Sequence, residues 1–250
     1  MLNNNQRIKQ ILVIAATVGV LAINYLAAKG FINNRTPEAI SDAYPTAITP
    51  AGYAFSIWAL IYFGLVAFSI YQALPQNSEK FTKARSLYIQ SCVANCLWLY
   101  MWHYDQILVS LLVMLLLLGL LVLINLNLLK YDSTADYWIA RVPFNLYLGW
   151  ITTATILNFT IALVYLGVTA LESAASIIAC VLLVIATILG VILRPRFSNS
   201  AYPLAIAWAL TAIAVKHGGQ TLIVSTASVG VGILLISSLT FLLQNKNSIQ

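Results

Sequence analysis

Long apolar runs recur along this chain, and a short polar segment separates each run from the next. The runs are about 20 residues long, the length that a helix needs to cross the hydrocarbon of a bilayer. Continuous runs favour helices over a membrane barrel, because backbone polar groups in lipid need partners within the structure itself. Hydrophobic residues make up 61% of the chain and charged residues 8%, whereas soluble domains carry about 25% charged residues. We therefore predict an all-α integral membrane protein.

The positions of Pro, Gly and charged residues predict about eight transmembrane helices. Residues 1–8 are predicted to be frayed, residues 29–50 to form a long polar first loop, and residues 76–85 to form a charged loop. Arg194, Pro195 and Arg196 are expected to close the sixth helix. We interpret the first apolar run as a retained helix, because it has no clear small-residue cleavage site. The predicted helices cover residues 9–28, 51–74, 86–104, 107–129, 139–166, 174–193, 201–216 and 221–243.

The basic residues predict the orientation of these helices. If the N-terminus is cytoplasmic, ten of the 13 Lys and Arg residues lie in inside segments, and only Lys29, Arg35 and Lys216 lie outside. The positive-inside rule expects this asymmetry, so both termini are predicted to be cytoplasmic. The net charge of +6 does not indicate a nucleic-acid partner, because no basic cluster is interleaved with exposed aromatic residues.

Aromatic residues are concentrated at the start of the second helix, where residues 49–62 contain Tyr53, Phe55, Trp58 and Tyr62. The spacings of three and four residues between positions 55, 58 and 62 place them on one helical face. Two interpretations stay open for this stretch alone. It forms either an interfacial aromatic belt or one wall of a pocket.

Two further helices combine an amide with indole rings. The third contains Asn95 three residues before Trp98, and the fifth contains Trp150 eight residues before Asn158. An intramembrane Asn commonly bonds a neighbouring helix. Together, however, the rings supply flat walls and the amides supply polar anchors, which favours a ligand pocket.

At these positions the chain resembles the tryptophan-rich sensory protein family, also called the translocator protein or peripheral benzodiazepine receptor family. The resemblance rests on residues 50–58 with Tyr62, on Asn95-Cys96-Leu97-Trp98, and on Trp150 with Leu157-Asn158, and it covers about residues 9–166. The chain departs from the family pattern in having two residues, rather than three, between Phe55 and Trp58. The family has five helices, and the last three predicted helices have no counterpart in it.

The resemblance implies a five-helix bundle over residues 1–166 and a three-helix extension over residues 167–250. It also implies a multi-pass membrane protein that binds a hydrophobic ligand in a sensory or regulatory role, with a porphyrin or haem as the candidate ligand and the first loop as a lid. A facilitative transporter of a small amphipathic or neutral molecule is the alternative. The implied ligand-binding residues are Tyr53, Phe55, Trp58, Tyr62, Asn95, Trp98, Trp150 and Asn158.

Catalysis and metal binding are not predicted. The seven acidic residues fall in loops or at helix ends, and Asp132 and Asp136 are expected to lie in a solvated turn. His103 and His217 are expected at membrane interfaces; if the ligand is a haem, His103 is the better axial candidate. Tetrapyrrole degradation is retained as a weaker alternative to binding.

The expected partners are the hydrophobic ligand and membrane lipid, without nucleic acid. A homodimer is a further expectation for the last helix. Its small residues Ser225, Ser228, Gly230 and Gly232 allow close helix approach, although such residues also serve ordinary packing.

Overall fold

The computed structural model describes residues 4–131, 133–168 and 172–246, and every regular element in these ranges is helical. The α-helices are α1 Asn4–Ala28, α2 Pro37–Ala43, α3 Ile57–Tyr71, α4 Thr82–His103, α5 Ile107–Leu128, α6 Thr134–Asp136, α7 Val142–Tyr165, α8 Glu172–Phe197, α9 Ala201–Lys216 and α10 Thr221–Lys246. A 3₁₀ turn, Gly52–Ser56, leads into α3, and a second, Pro75–Asn77, precedes α4. A π-helical turn, Tyr137–Arg141, joins α6 to α7.

Each of the eight predicted segments coincides with a helix, which confirms the all-α membrane fold. Within the described residues, six helical stretches are long and apolar enough to cross a membrane. The other two are α4, which begins with the basic residues Lys83 and Arg85, and α9, which has only 16 residues. Two boundary predictions were wrong: Arg85 lies within α4, and Arg194 lies within α8 rather than closing it.

The chain divides into two compact units. Unit 1 contains the residues up to Ile40 together with Trp58–Phe144, and unit 2 contains Ser41–Ile57 and the residues from Asn145 onward. The domain boundary predicted at residue 166 rested on a family resemblance rather than on packing, and it stays a prediction.

An aromatic cluster forms part of the core of unit 1, in which α4 packs against both α1 and α5. Phe68 lies at its centre, with ring centroids 5.6 Å from Phe81, 5.6 Å from Tyr88 and 4.9 Å from Phe144. All four side chains are fully buried. Edge-to-face pairs of this kind stabilise the packing by about 0.5–1.5 kcal/mol each beyond the buried area.

A buried arginine cross-links one end of unit 1. Arg85 is fully buried, and its guanidinium donates to the side chains of Gln72 and Gln6 and to the main-chain oxygens of Gln72, Asn77 and Ser78. Because Gln6 belongs to α1, residues 4–8 extend this helix rather than fraying. Burial of a charge requires such compensation by hydrogen bonds.

The expectation of a solvated turn was wrong for Asp136, and Asp132 lies outside the described residues. Asp136 is 1% exposed. Its carboxylate accepts hydrogen bonds from Tyr71, at 2.9 Å, and from Ser133, and it forms an ion pair with Lys80. Two of these three partners, Tyr71 of α3 and Lys80 of the loop before α4, lie more than 50 residues earlier in the chain, so the sequence around Asp136 does not reveal them.

Close helix contacts in unit 2 depend on glycine. A Cβ atom added to Gly190 of α8 would lie 2.3 Å from Leu234 of α10, and one added to Gly230 of α10 would lie 2.6 Å from Thr187 of α8. Unit 2 therefore uses Gly230 for its own packing, as small residues in membrane helices allow. The homodimer stays a prediction.

Candidate functional site

The eight predicted ligand-binding residues are divided equally between the two units. Unit 1 holds Trp58, Tyr62, Asn95 and Trp98. Unit 2 holds Tyr53, Phe55, Trp150 and Asn158. Their assignment to a ligand stays a prediction, and the contacts of each group are described within its own unit.

In unit 1, two pairs of rings stack one helical turn apart. Trp58 and Tyr62 have centroids 5.2 Å apart with an interplanar angle of 17°, and Trp98 stacks on Trp102 at 5.8 Å and 24°. The spacing of four residues on α3 and on α4 produces both stacks. Trp58 and Tyr62 therefore share a face as predicted, whereas Phe55 lies in the preceding 3₁₀ turn, where α-helical spacing does not apply.

Asn95 bridges two helices of unit 1. It is fully buried, and its Oδ1 accepts a hydrogen bond of 2.7 Å from Nδ2 of Asn24 on α1. Asn24 also donates to the main-chain oxygen of Val20 in its own helix. The pair ties α1 to α4, so one of the two predicted anchors has a structural partner.

In unit 2, the 3₁₀ turn places two aromatic residues against other helices. Phe55 meets Trp150 of α7 edge to face, with centroids 6.0 Å apart, and Tyr53 meets Trp208 of α9 at 5.4 Å. Asn158 donates its side-chain amide to the main-chain oxygen of Ala154 in its own helix. The structure thus brings together Phe55 and Trp150 among the predicted residues of this unit.

The sequence interpretation missed the role of α9, which holds the second half of the first loop. The indole Nε1 of Trp208 donates to the main-chain oxygen of Ala54 at 3.0 Å, and the amide of Ala51 donates to the oxygen of Ala212 at 3.0 Å. Near the end of α9, Lys216 pairs with Asp42 at 2.6 Å. A lone Trp and a basic residue at the end of an apolar segment are typical of an interface, so the sequence carries no signal for these contacts.

The residue after α9, His217, adds another contact to the loop. Its Nε2 lies 3.1 Å from the main-chain oxygen of Thr49, so this nitrogen is the donor. Burial lowers the pKa of His217, the hydrogen bond to Thr49 acts in the opposite direction, and the charge of Lys216 lowers the pKa further.

The first half of the loop is attached to the end of α4 within unit 1. Arg35 pairs with Asp105 at 2.8 Å, Asn33 donates to the main-chain oxygen of His103, and Trp102 Nε1 donates to that of Pro37. Nδ1 of His103 lies 2.7 Å from the main-chain oxygen of Leu99, so this nitrogen is the donor.

His103 does not fit the axial ligand of a haem in this arrangement. Ligation requires a neutral ring with a lone pair on Nε2. However, the side chain is fully buried, and the backbone of Arg35 adjoins the ring. A macrocycle would have to displace the Arg35 segment to reach the nitrogen. Among the described residues, no group of three or more His, Cys, Asp and Glu is placed to hold a metal ion.

An apolar cavity of about 340 Å³ lies within unit 2. Loop residues 45–48, the end of α7 and the start of α8 line it, and it is partly open to its surroundings. Its polar side chains already have local partners. The hydroxyl of Thr160 donates to the main-chain oxygen of Leu157, and the hydroxyls of Thr46 and Thr49 share a hydrogen bond. The lining residues are Pro45, Thr46, Ala47, Ile48, Thr160, Leu163, Val164, Val168, Ala175, Ile178, Ala179 and Leu182.

Comparison with known proteins identifies the family. The profile of the family described as TSPO-like protein matches residues 10–240, which extends beyond residues 9–166 through α8, α9 and most of α10. No curated protein and no solved structure matches the chain. Because the matched range covers nearly the whole sequence and six of the described helical stretches have membrane-spanning length and composition, the chain is a multi-pass membrane protein that belongs to the TSPO-like protein family.

Proposed function

We infer that this protein binds a hydrophobic small molecule within the membrane, in a sensory or regulatory role, and that a tetrapyrrole is the ligand class to test first. The proposal rests on the apolar cavity that residues 45–48 help to line. Its volume of about 340 Å³ lies within the range of about 300–1,000 Å³ that is usual for small-molecule sites.

The chemistry of the cavity favours the apolar part of a ligand, so the two propionate groups of protoporphyrin would have to stay outside it. None of the residues that line it carries a charge, and most are aliphatic. Thr46 and Thr160 are hydrogen-bonded locally, so the lining does not require polar groups from the ligand. Such a site takes up a molecule that already partitions into lipid.

None of the eight predicted residues lines the cavity, so their contact with a ligand stays a separate prediction. Trp150 and Asn158 lie on α7, the helix that contributes Thr160, Leu163 and Val164 to the cavity. Phe55 packs on Trp150 within the same unit. A flat aromatic ligand gains from such rings through offset or edge-to-face contacts.

Binding is preferred here to transport and to catalysis. The lining has two hydroxyls, of Thr46 and Thr160, but no acid, base or other titratable group that could activate them or transfer a proton. A facilitative transporter of a neutral or amphipathic molecule is the competing function, and tetrapyrrole degradation is the weaker one. Both termini are proposed to be cytoplasmic, on the distribution of Lys and Arg.

The test is quenching of intrinsic Trp fluorescence by protoporphyrin in detergent. We expect saturable quenching, with affinity lowered at least about tenfold by Ala179→Phe, because the added ring fills the cavity. Val181→Phe is the matched control, since Val181 lies on the same helix, is exposed and does not line the cavity. Absence of saturable quenching, or equal affinity in the two variants, contradicts the proposal.

Counterflow in proteoliposomes distinguishes the competing functions. Stoichiometric binding of protoporphyrin without counterflow supports a binding protein. Counterflow that is lost in Ala179→Phe favours the transporter. The appearance of a tetrapyrrole product during incubation favours the degrading enzyme.

A further inference from the structure

The cavity of unit 2 is elongated along its helices. Four of its lining residues lie at spacings of three and four on one face of α8, namely Ala175, Ile178, Ala179 and Leu182. The first and the last of these four are separated by about 10 Å of helix. The end of α7 contributes a second face with the same spacings, formed by Thr160, Leu163 and Val164. The cavity therefore extends along the helix axes rather than across them.

The depth of the cavity corresponds to one leaflet of a bilayer. The membrane-spanning stretch of α8 begins at Ala174, and the deepest lining residue of this helix is Leu182. These two residues are separated by about 12 Å of helix, and one leaflet supplies half of a hydrocarbon thickness of about 30 Å. Acyl chains run in the same direction as membrane-spanning helices, so a chain of one leaflet matches the cavity in direction and length.

The opening of the cavity faces lipid. Two residues of its lining, Val168 and Ile178, are 57% and 46% exposed. Because Ile178 belongs to the membrane-spanning stretch Ala174–Phe197, hydrocarbon surrounds its exposed part. Two other lining residues, Ile48 and Ala179, are only 4% and 2% exposed and lie away from the opening. A lipid chain can therefore enter from the side without crossing water.

The side chains of the lining suit hydrocarbon better than water. A buried water makes about three hydrogen bonds, whereas the lining has only the hydroxyls of Thr46 and Thr160, which are already bonded within the protein. All the other lining side chains are aliphatic. A flexible methylene chain gains dispersion contacts with each of them.

A pair of tyrosines adjoins the lining residues in the chain. Tyr44 directly precedes Pro45, and Tyr165 directly follows Val164. The two rings meet edge to face with centroids 6.3 Å apart. Tyr165 is the last residue of α7 and is 49% exposed. Because Tyr is enriched at the level of lipid headgroups, this pair marks the end of the cavity that is nearest the headgroups.

We propose that the unit 2 cavity is a binding site for one acyl chain of a bilayer phospholipid, which enters from the side of the membrane. The headgroup stays at the level of Tyr44 and Tyr165, and the chain lies along α7 and α8. This inference rests on the proposed function, because it names a lipid that competes with the hydrophobic ligand for the same site.

The test is photo-crosslinking in liposomes of phosphatidylcholine. A small fraction of the lipid carries a diazirine in the middle of one acyl chain, and the labelled residues are mapped by mass spectrometry after proteolysis. Bulk lipid reaches Val181 and Ile185, which are exposed on α8, but not the buried Ile48 and Ala179. We expect labelling of Ile48 and Ala179 in the native protein, because a chain inside the cavity contacts both.

Two variants on α8 identify the labelling that comes from the cavity. Ala179→Phe should lower the labelling of Ile48 about fivefold or more, because the added ring fills the space. Val181→Phe is the matched control and should leave it unchanged, since Val181 does not line the cavity. If Ale179→Phe folds poorly, the ratio of labelling at Ile48 to that at Val181 in the native protein gives the second readout.

The outcomes separate the acyl chain from the proposed ligand. Labelling that is confined to exposed residues such as Val181 overturns the chain site, whether or not protoporphyrin binds. Labelling of Ile48 by a free fatty acid with the same diazirine, but not by the phospholipid, overturns it as well. Loss of the Ile48 label as protoporphyrin is added supports both proposals. Labelling of Ile48 without saturable quenching by protoporphyrin supports the chain site and contradicts the proposed ligand.

Discussion

His217 Nε2 lies 3.1 Å from the main-chain oxygen of Thr49, although 168 residues separate them in the sequence. Through this contact the residue after α9 holds the loop between α1 and α3. With Lys216, it gives the C-terminal helices a role that the family resemblance over residues 9–166 did not assign to them. The loop is therefore part of unit 2 from Ser41 to Ile57.

The titration of His217 predicts a loss of stability in acid. Burial lowers its pKa below the usual 6.5, so between the lowered value and 6.5 the unfolded chain binds more protons than the folded chain. Stability is then complete above about pH 6.5 and falls as the pH drops toward the lowered value. Thermal unfolding in detergent should show a steeper acid loss in the native protein than in His217→Gln, which keeps an N–H donor for Thr49. Parallel pH profiles would contradict the assignment.

Gly149 should tolerate no side chain. A Cβ at this position would lie 2.4 Å from the main-chain oxygen of Tyr202 and 2.8 Å from Cβ of Ala205, and the backbone of α9 cannot easily move away. We expect Gly149→Ala to lower the free energy of unfolding by about 1–3 kcal/mol. Gly232→Ala is the control, because nothing lies within 4 Å of the added carbon. Equal melting temperatures for the two variants would show that α7 and α9 are not in close contact.

Arg85 should resist replacement even by lysine. Its guanidinium makes five hydrogen bonds, and a lysine has three donors on one nitrogen. Arg85→Lys and Arg85→Leu are expected to cost about 3 kcal/mol, because buried acceptors lose their partners. Lys83→Ala is the control. Lys83 lies two residues before Arg85 on the exposed side of α4, and its replacement should change the free energy of unfolding by less than about 0.5 kcal/mol. Yield of monodisperse protein and thermal unfolding measure both; a stable Arg85→Leu protein would refute the cross-link.

Because Asn24 and Asn95 share a hydrogen bond, the effects of replacing them on the free energy of unfolding should be coupled. Single Asn→Ala changes at the two positions and the double change form a cycle in which the pair should contribute about 0.6 kcal/mol, a typical value for such bonds in membrane helices. Unfolding in detergent gives the four free energies. If the effects add without coupling, Asn95 does not serve to join α1 and α4, and its predicted role as a ligand anchor becomes the better explanation.

The helices could be predicted because every segment that crosses a membrane must satisfy its backbone hydrogen bonds within the protein. Long apolar runs must be helical in lipid, and the polar breaks between them mark their ends. The same reasoning failed for Arg85 and Asp136, which were assigned to solvated loops because charges usually mark helix ends. Their burial depends on partners such as Gln6 and Tyr71, and helical periodicity carries no information about contacts across 65 to 79 residues.

The candidate site could be predicted only in part for the same reason. The spacing of Trp58 and Tyr62 correctly placed their rings on one face of α3. The contact of Phe55 with Trp150 joins two of the residues predicted to bind a ligand. By contrast, Lys216 and Asp42 are ordinary interfacial residues in sequence, and only the fold brings them together. The cavity is formed by aliphatic residues, which give no chemical signal in a membrane protein.

The most direct measurement is the protection of Ile48→Cys from N-ethylmaleimide by increasing concentrations of protoporphyrin. Because Ile48 lines the cavity, this experiment, in a chain whose Cys92, Cys96 and Cys180 are replaced by Ala, reports occupancy of the cavity rather than binding anywhere on the protein. We predict that labelling slows saturably and that Ala179→Phe abolishes the protection while Val181→Phe does not. A labelling rate that is the same at every protoporphyrin concentration would contradict the proposal that this cavity binds the ligand.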